Sequence, residues 1–369
     1  MNSLTFLIKP ASSLCNMKCR YCFYEKIADN RAQKSMGIMT DATAERLISE
    51  AFRLVSPGGT INFMFQGGEP TLVGLDFFRR FMALEQKYTK AGIHCHHAIQ
   101  TNGLYLDEEW VTFFQEHKFL LGISIDGTQA IHDSLRVDAV GCGTWEKATA
   151  ALRLLDQYHV ETNILCVVTA QIAKKPHQIY RSLSQFGNHP IQFIPCLDPI
   201  EKKRGSEFFS LRPDAYSKFL CGLFDCWYRD WKSGKYISIR TFEDYLCLLM
   251  HLPPSSCAAS GACGSYLVVE GDGSLYPCDF YVLDEWKIGN IHDMNLEEAF
   301  NNPISVRFIR DGAVRPEACK SCQYLPICRG GCKRDWTQQH ANYYCTSFKA
   351  FFSYALPRLQ EMAQVAMMR

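Results

Sequence analysis

From residue 1 to about 232, short apolar runs alternate with longer segments whose apolar residues recur at helical spacing, the signature of βα units on a parallel sheet. The runs predict strands over residues 5–9, 61–65, 96–100, 121–125, 163–168 and 191–194. Helical periods cover residues 41–55, 75–90, 108–117, 144–158, 178–186 and 214–231. Six strands and six helices fit an α/β fold of the partial (β/α)6 type, an open relative of the TIM barrel, in which sites gather at the C-terminal ends of the strands. After about Lys235 the alternation stops and cysteines take over, which divides the chain into 1–232 and 233–369. In the second part, residues 267–270 and 274–277 read as a hairpin around Gly271-Asp272-Gly273, and a helix closes the chain.

Composition narrows the function without naming it. At 369 residues and 47% hydrophobic, the chain supports about two globular domains with a large core. With 39 basic against 38 acidic residues the net charge is +1, so there is no electrostatic footprint for nucleic acid or an anionic membrane. The densest basic cluster, Lys202 to Arg204, reads as a solvated loop. The opening MNSLTFLIKP has no basic n-region and too short an apolar run for a signal peptide, and no stretch is long enough to span a bilayer. The cytoplasm is the expected compartment. In such a setting eighteen cysteines point to metal rather than to disulfides. Seven of them, Cys95, Cys142, Cys166, Cys196, Cys221, Cys226 and Cys247, stand singly in apolar or helical stretches and read as small buried hydrophobes.

The grouped cysteines carry the chemistry. Cys15, Cys19 and Cys22 follow the first apolar run as CNMKCRYC. Three thiolates at this spacing can hold three irons of a [4Fe-4S] cube, and no nearby fourth cysteine closes the last iron. An open iron beside Tyr21 and Phe23 suits a cluster that binds and reduces a small molecule. A zinc or structural site is the alternative, although zinc generally takes four ligands. The spacing C-x3-C-x2-C resembles the radical S-adenosylmethionine (SAM) superfamily, in which the free iron chelates the methionine part of SAM.

Further motifs fall at the ends of the predicted strands. Gln66-Gly67-Gly68-Glu69-Pro70 follows the second, where glycines let a backbone approach a ligand that a Cβ would push away. Beside the triplet it resembles the radical SAM segment that contacts the SAM amino group through Gly68. Gln100-Thr101-Asn102-Gly103 and Ser124-Ile125-Asp126-Gly127 end the third and fourth strands, with turn chemistry as the plain reading of both Asn-Gly and Asp-Gly. The resemblance implies SAM contacts at Tyr21, Ser124, Arg136 and, after the sixth strand, Leu197. Gly141-Cys142-Gly143-Thr144 lacks the third glycine of a dinucleotide fingerprint, and no phosphate-binding G-x4-G-K-S/T sequence occurs.

The cysteines at 257, 263, 278, 319, 322, 328, 332 and 345 resemble the SPASM extension of radical SAM peptide-modifying enzymes. That resemblance implies two auxiliary [4Fe-4S] clusters. Cys257, Cys263, Cys278 and Cys332 would hold one, and Cys319, Cys322, Cys328 and Cys345 the other. A pair of zinc knots is the alternative use of the same residues. Asp279 directly follows a ligand, where a carboxylate could take a substrate proton while the adjacent cluster receives an electron; the plain alternative is a turn cap.

Over nearly its whole length, at KPASS, CRYCFY, FQGGEPTL, IQTNG, SIDG, NILCVVT, YPCDFYVLD and NYYC, the chain resembles the anaerobic sulfatase-maturating enzymes. The resemblance implies three [4Fe-4S] clusters, SAM, and oxidation of a sulfatase serine or cysteine to Cα-formylglycine. A 5′-deoxyadenosyl radical would take a Cβ hydrogen, Asp279 the hydroxyl or thiol proton, and the auxiliary clusters the second electron. The implied partners are a sulfatase polypeptide, unfolded or nascent at its target motif, and a low-potential flavodoxin or ferredoxin. Tyr24 is read either as lining the peptide channel or as core packing. The competing readings are another SPASM peptide maturase, forming thioether crosslinks or epimers, and a non-catalytic metal-binding or electron-transfer protein.

Overall fold

A computed structural model of the protein describes residues 1–368. Six strands appear in the predicted places: β1 (Ser3–Lys9), β2 (Thr60–Phe65), β3 (His94–Thr101), β4 (Leu120–Ser124), β5 (Thr162–Val168) and β6 (Ile191–Pro195). Each is followed by helix, the long ones being Asp41–Leu54, Leu75–Tyr88, Glu108–Glu116, Trp145–Gln157, Pro176–Ser184 and Pro213–Lys232. This is the α/β class expected from the alternation. Three further strands, β7 (Leu267–Glu270), β8 (Ser274–Tyr276) and β9 (Gly289–Asn290), follow in the cysteine-rich part, and the helix Cys345–Met367 closes it. Among the described residues no helix is long and apolar enough to cross a membrane.

The chain forms two compact units from interleaved segments. The first comprises residues 1–124, 136–162 and 264–309. Its sheet runs in the order β4-β3-β2-β1-β7-β8-β9. The first four strands are mutually parallel, β7 adds to β1 in parallel, and β7-β8-β9 continue antiparallel. The hairpin was legible, but its parallel attachment to β1 was not. Lys9 lies in register with Glu270 across that junction.

The packing of this unit rests on rings. Phe63 and Phe65 on β2 meet Phe78 and Phe81 of the helix Leu75–Tyr88, with Phe65–Phe78 centroids 5.0 Å apart and Phe63–Phe81 5.2 Å apart, both edge-to-face. Trp110 and Phe114 of the next helix close on Phe78 from the other side. Such pairs contribute about 0.5–1.5 kcal/mol each beyond the area they bury. Phe78 is fully buried among them. Phe78→Ala is expected to cost about 3–5 kcal/mol, read as a lowered denaturant midpoint with the slope unchanged.

The second unit holds residues 125–135, 163–263 and those from 310 onward. It contains the parallel pair β5-β6 and the helices Pro213–Lys232, Arg240–Leu249 and Cys345–Met367. Within it the basic cluster is only partly solvated. Lys202 and Lys203 are exposed, but Arg204 pairs with buried Asp335 at 3.4 Å.

The single cysteines follow expectation unevenly. Cys166, Cys196 and Cys226 are buried, Cys95, Cys221 and Cys247 are half-buried, and Cys142 is exposed. Cys142 sits in the turn after Val140 and Gly141, where no element covers it.

Candidate active site

The chain leaves β1 through a tight turn, with the Ser12 amide on the Lys9 carbonyl at 3.0 Å and Leu14 on Ala11 at 3.0 Å, and then reaches the first thiol. Cys15, Cys19 and Cys22 are all half-buried. The third is also a helix cap. Cys22 precedes the helix α1 (Phe23–Asp29), and its sulfur accepts the Glu25 amide at 3.5 Å. The Cys15 sulfur accepts the Met17 amide at 3.4 Å. Amide donors of this kind favour sulfur in its anionic form. Burial, helped by the charges of Glu69, Cys19 and Cys22 and opposed by the Met17 hydrogen bond, still pushes the Cys15 thiol up to about 12. Cys22 is also raised by burial, with Arg136 close enough to pull it back. Three neighbouring soft donors, two of them with amide support, fit an iron-sulfur cluster, whose irons would draw the protons off.

The Gln66–Pro70 loop is bolted to this segment. Gly68 donates its amide to the Ser12 carbonyl at 2.8 Å and Glu69 to the Leu14 carbonyl at 2.8 Å. A Cβ on Gly68 would stand 2.0 Å from the Leu14 oxygen, so glycine is required here by the approach of the chain's own backbone. The reading of a Cβ-free face kept for a ligand is corrected to that extent: this face of Gly68 is filled by the loop that leads to Cys15.

Glu69, quoted in the motif but given no role, holds the strand ends together. Its carboxylate accepts the Thr71 amide and hydroxyl, the Thr101 hydroxyl at 2.6 Å and the Asn102 amide at 2.8 Å. Burial pushes this carboxyl up while those hydrogen bonds oppose the shift. Asn102 passes the connection on, donating to the Asn16 side chain at 2.7 Å. Thus the Asn-Gly turn also fixes the triplet.

The remaining residues expected at SAM lie as follows. Tyr21 is buried, and its hydroxyl accepts from the Arg136 guanidinium at 2.9 Å. Arg136 is itself buried. Its segment pairs with the triplet, Lys18 donating to the Val137 carbonyl at 2.8 Å. The Ser124 hydroxyl, at the end of β4, accepts from Gln100 at 3.0 Å. All of these belong to the first unit. Leu197 belongs to the second, half-buried just beyond β6.

Asp279 is buried and does not serve as a cap. Its Oδ1 lies 2.5 Å from the ammonium of Lys9, which is also buried, and its Oδ2 accepts from Gln66 at 3.1 Å. The Tyr266 hydroxyl, 3.5 Å from the Cys278 sulfur, receives the Asp279 amide at 3.4 Å. Lys9 and Gln66 had no assigned role in the sequence, although a lysine ending the apolar run LTFLIK was a visible signal.

Among the described residues no three His, Cys, Asp or Glu side chains stand as ligands to one metal ion, so it is coupling between thiols that marks the other sets. Cys319 is raised by burial and by nearby Cys345 and Cys322. Burial pushes Cys328 up to about 11, its amide donor from Gly330 opposing and Cys345, Cys319 and Cys322 adding. These four thus come together in the second unit and fit a fully ligated cluster. There too, Cys263 is raised by burial and lies near Cys257. Cys332 caps the turn Lys333–Asp335, and Cys278 belongs to the first unit.

Comparison with known proteins gives the families of the two parts. Residues 10–180 match the model of the radical SAM superfamily, and residues 257–323 match that of the SPASM iron-sulfur cluster-binding domain. The chain is 45% identical to a cysteine-type anaerobic sulfatase-maturating enzyme of Clostridium perfringens, covering 98% of this chain and 99% of that protein. It is 32% identical to a serine-type anaerobic sulfatase-maturating enzyme of Klebsiella aerogenes, over 97% of this chain and 86% of that one. A solved structure of anSMEcpe with bound AdoMet and the Cp18Cys peptide superimposes with a TM-score of 0.93 at 42% identity, covering 99% of each chain.

Proposed function

The chain belongs to the anaerobic sulfatase-maturating enzymes, radical SAM enzymes with an iron-sulfur-binding SPASM domain, and on that footing we propose how its own residues divide the work. The reaction is the formylglycine-generating oxidation of a sulfatase peptide. In our reading Cys15, Cys19 and Cys22 hold the cluster that takes SAM, with Tyr21, Gly68, Ser124, Arg136 and Leu197 around the cofactor. Cys257, Cys263, Cys278 and Cys332 hold a second [4Fe-4S] cluster, and Cys319, Cys322, Cys328 and Cys345 a third. The boundary between barrel and SPASM parts is placed at 232/233.

When bound, SAM and the clusters supply the 5′-deoxyadenosyl radical that removes a Cβ hydrogen and the acceptor for the electron that follows. Asp279 removes the remaining proton from the hydroxyl or thiol. A carboxylate offers about four acceptor positions, and the bonds to Lys9 and Gln66 leave room for one from substrate. One hydrogen atom, one proton and one electron leave the residue, which gives the aldehyde from serine. From cysteine the thioaldehyde forms and water exchanges its sulfur for oxygen.

The observation that supports this reading most is the place of Asp279. It is buried next to a cluster-type cysteine and held by Lys9 and by Gln66 of the loop bolted to the triplet. The relatives at 45% and 32% identity are sulfatase-maturating enzymes of the cysteine and serine types, which favours this reading over thioether or epimer formation. We further assign the reductant to a low-potential flavodoxin or ferredoxin and the setting to a reducing cytoplasm that keeps the thiols available.

The deciding assay incubates the anaerobically reconstituted protein with SAM, reductant and an unfolded sulfatase peptide bearing cysteine or serine at the target position. One residue is expected to lose mass and gain reactivity toward carbonyl reagents, the cysteine peptide first, given 45% identity to the cysteine-type enzyme against 32% to the serine-type. A crosslinked or epimerised product of unchanged aldehyde content would replace this reading with its rival.

A further inference from the structure

Behind Asp279 and Lys9 lies a second buried ion pair. Glu270, the last residue of β7, and Arg31, just beyond α1, have fully buried side chains, with the Arg31 guanidinium 2.7 Å from Glu270 Oε1. The same carboxylate oxygen accepts the hydroxyl of Tyr24. Tyr24 is buried, so the structure favours its core-packing reading. Its ring carries a charge on its face: the Lys9 ammonium stands 3.6 Å from the ring centroid and the Arg31 guanidinium 5.6 Å. Arg31 also donates to the Lys34 carbonyl at 2.6 Å. The groups therefore form one chain, from Arg31 and Glu270 through Tyr24 to Lys9 and Asp279.

The surroundings make this chain costly as a purely structural device. Leu7, Ile27, Val268, Tyr276, Val282 and Leu283 pack around Tyr24. In such a medium a buried ion pair is seldom more stabilising than apolar residues of the same volume. Moreover, Arg31 Nε, Glu270 Oε2 and the Tyr276 hydroxyl find no hydrogen-bond partner. A cluster of this kind is better explained by what it holds in place.

We propose that Glu270 and Arg31 are positioning residues for deprotonation of the substrate. They lock the Tyr24 ring, and the ring face in turn holds Lys9 and its partner Asp279 at the reacting side chain. The inference rests on the reading of Asp279 as the base. Three features support it. Tyr24 is rooted in α1, directly after the cluster-type Cys22, whereas Glu270 ends the strand of the hairpin that leads to Cys278 and Asp279. The Tyr24–Glu270 bond thus ties the segment that would carry the SAM cluster to the one that carries the base. Lys9 and Glu270 are register neighbours on β1 and β7, so the strand pairing itself sets their separation. Finally, a desolvated cation on an aromatic face is attracted by the ring's quadrupole, which fixes an otherwise flexible lysine. A misplacement of roughly 1 Å at a reacting group can cost about 10²-fold.

The test uses the reconstituted holoenzyme and counts 5′-deoxyadenosine against formylglycine in one reaction, since each aldehyde formed consumes one radical. Glu270→Gln alone strands the Arg31 charge and risks unfolding, so the main variant is Glu270→Gln with Arg31→Met, which removes the pair as a unit. Iron content and SAM cleavage are expected to stay within about twofold, while aldehyde per deoxyadenosine falls about 10-fold. In a Tyr24→Phe background the same pair of substitutions is expected to add nothing, because its effect passes through the Tyr24 hydroxyl. An unchanged ratio, an equal further loss in the Tyr24→Phe background, or loss of iron in both forms would overturn the proposal. Asp279→Asn, run alongside, separates the two readings. A normal ratio there removes the base itself, whereas an uncoupled Asp279→Asn beside a coupled pair variant removes only the positioning role.

Discussion

Alanine in place of Cys15, Cys19 or Cys22 is expected to abolish 5′-deoxyadenosine formation while leaving the iron held by the other eight cysteines in place. The expectation follows from how few donors this segment has. The Cys15 sulfur feels the charges of Cys19 and Cys22, and the Cys15 and Cys22 sulfurs are steadied by amide donors from Met17 and Glu25. Removing one leaves two thiols in a half-buried loop, too few to retain a cube that already depends on an exogenous ligand for its fourth iron. Nor can a nearby carboxylate substitute. Glu69 has its oxygens committed to Thr71, Thr101 and Asn102. The other cysteine sets are distant in sequence and carry their own ligands. On the proposed assignment of three clusters, iron should therefore fall by roughly a third, the share of one cube among three. Chromatographic assay of deoxyadenosine with dithionite as reductant provides the check. Product formation retained by any of the three variants would refute the assignment of the open iron to this triplet.

How much of this was visible beforehand depends on whether the cause is local. The six strands of the α/β part are short apolar runs between helical periods, so β1 to β6 were placed to within two residues at every end. The triplet was visible for a similar reason, because its spacing is local, whereas the division of the later cysteines into two sets came from the resemblance to the SPASM extension. Long-range approach was not visible. That β7 would lie parallel to β1, with Glu270 beside Lys9, is set by the pleat and register of strands far apart in sequence. Likewise the glycine at position 68 was seen to require a close approach, but the approaching atom proved to be the Leu14 carbonyl. The helix α1 has only seven residues and begins on a cysteine, too short for a period to register. Asp279 was found because it follows Cys278. Its partners Lys9 and Gln66 lie at the ends of β1 and β2, and only the fold brings them to it.

Those partners decide what Asp279→Asn should do. Asparagine keeps the shape and one carbonyl oxygen, so Gln66 retains an acceptor and the loop has no reason to move. What disappears is the group that takes the substrate proton. Cofactor binding resides elsewhere in this reading, and deoxyadenosine should still form. Formylglycine should fall by about 10²-fold or more, the usual contribution of a general base. The complication is Lys9. Its buried ammonium loses its counter-charge, and breaking one side of a buried pair typically costs about 3–5 kcal/mol. A lowered melting temperature could then pass for a lost base. Asp279→Asn combined with Lys9→Met removes both charges and should recover much of the stability, as replacement of a whole buried pair commonly does. If Asp279 acts in the chemistry, aldehyde formation stays as low in the double variant as in the single one. Recovery of turnover together with stability would mean that the carboxylate serves only to neutralise Lys9, and the proton must then leave the substrate by another route.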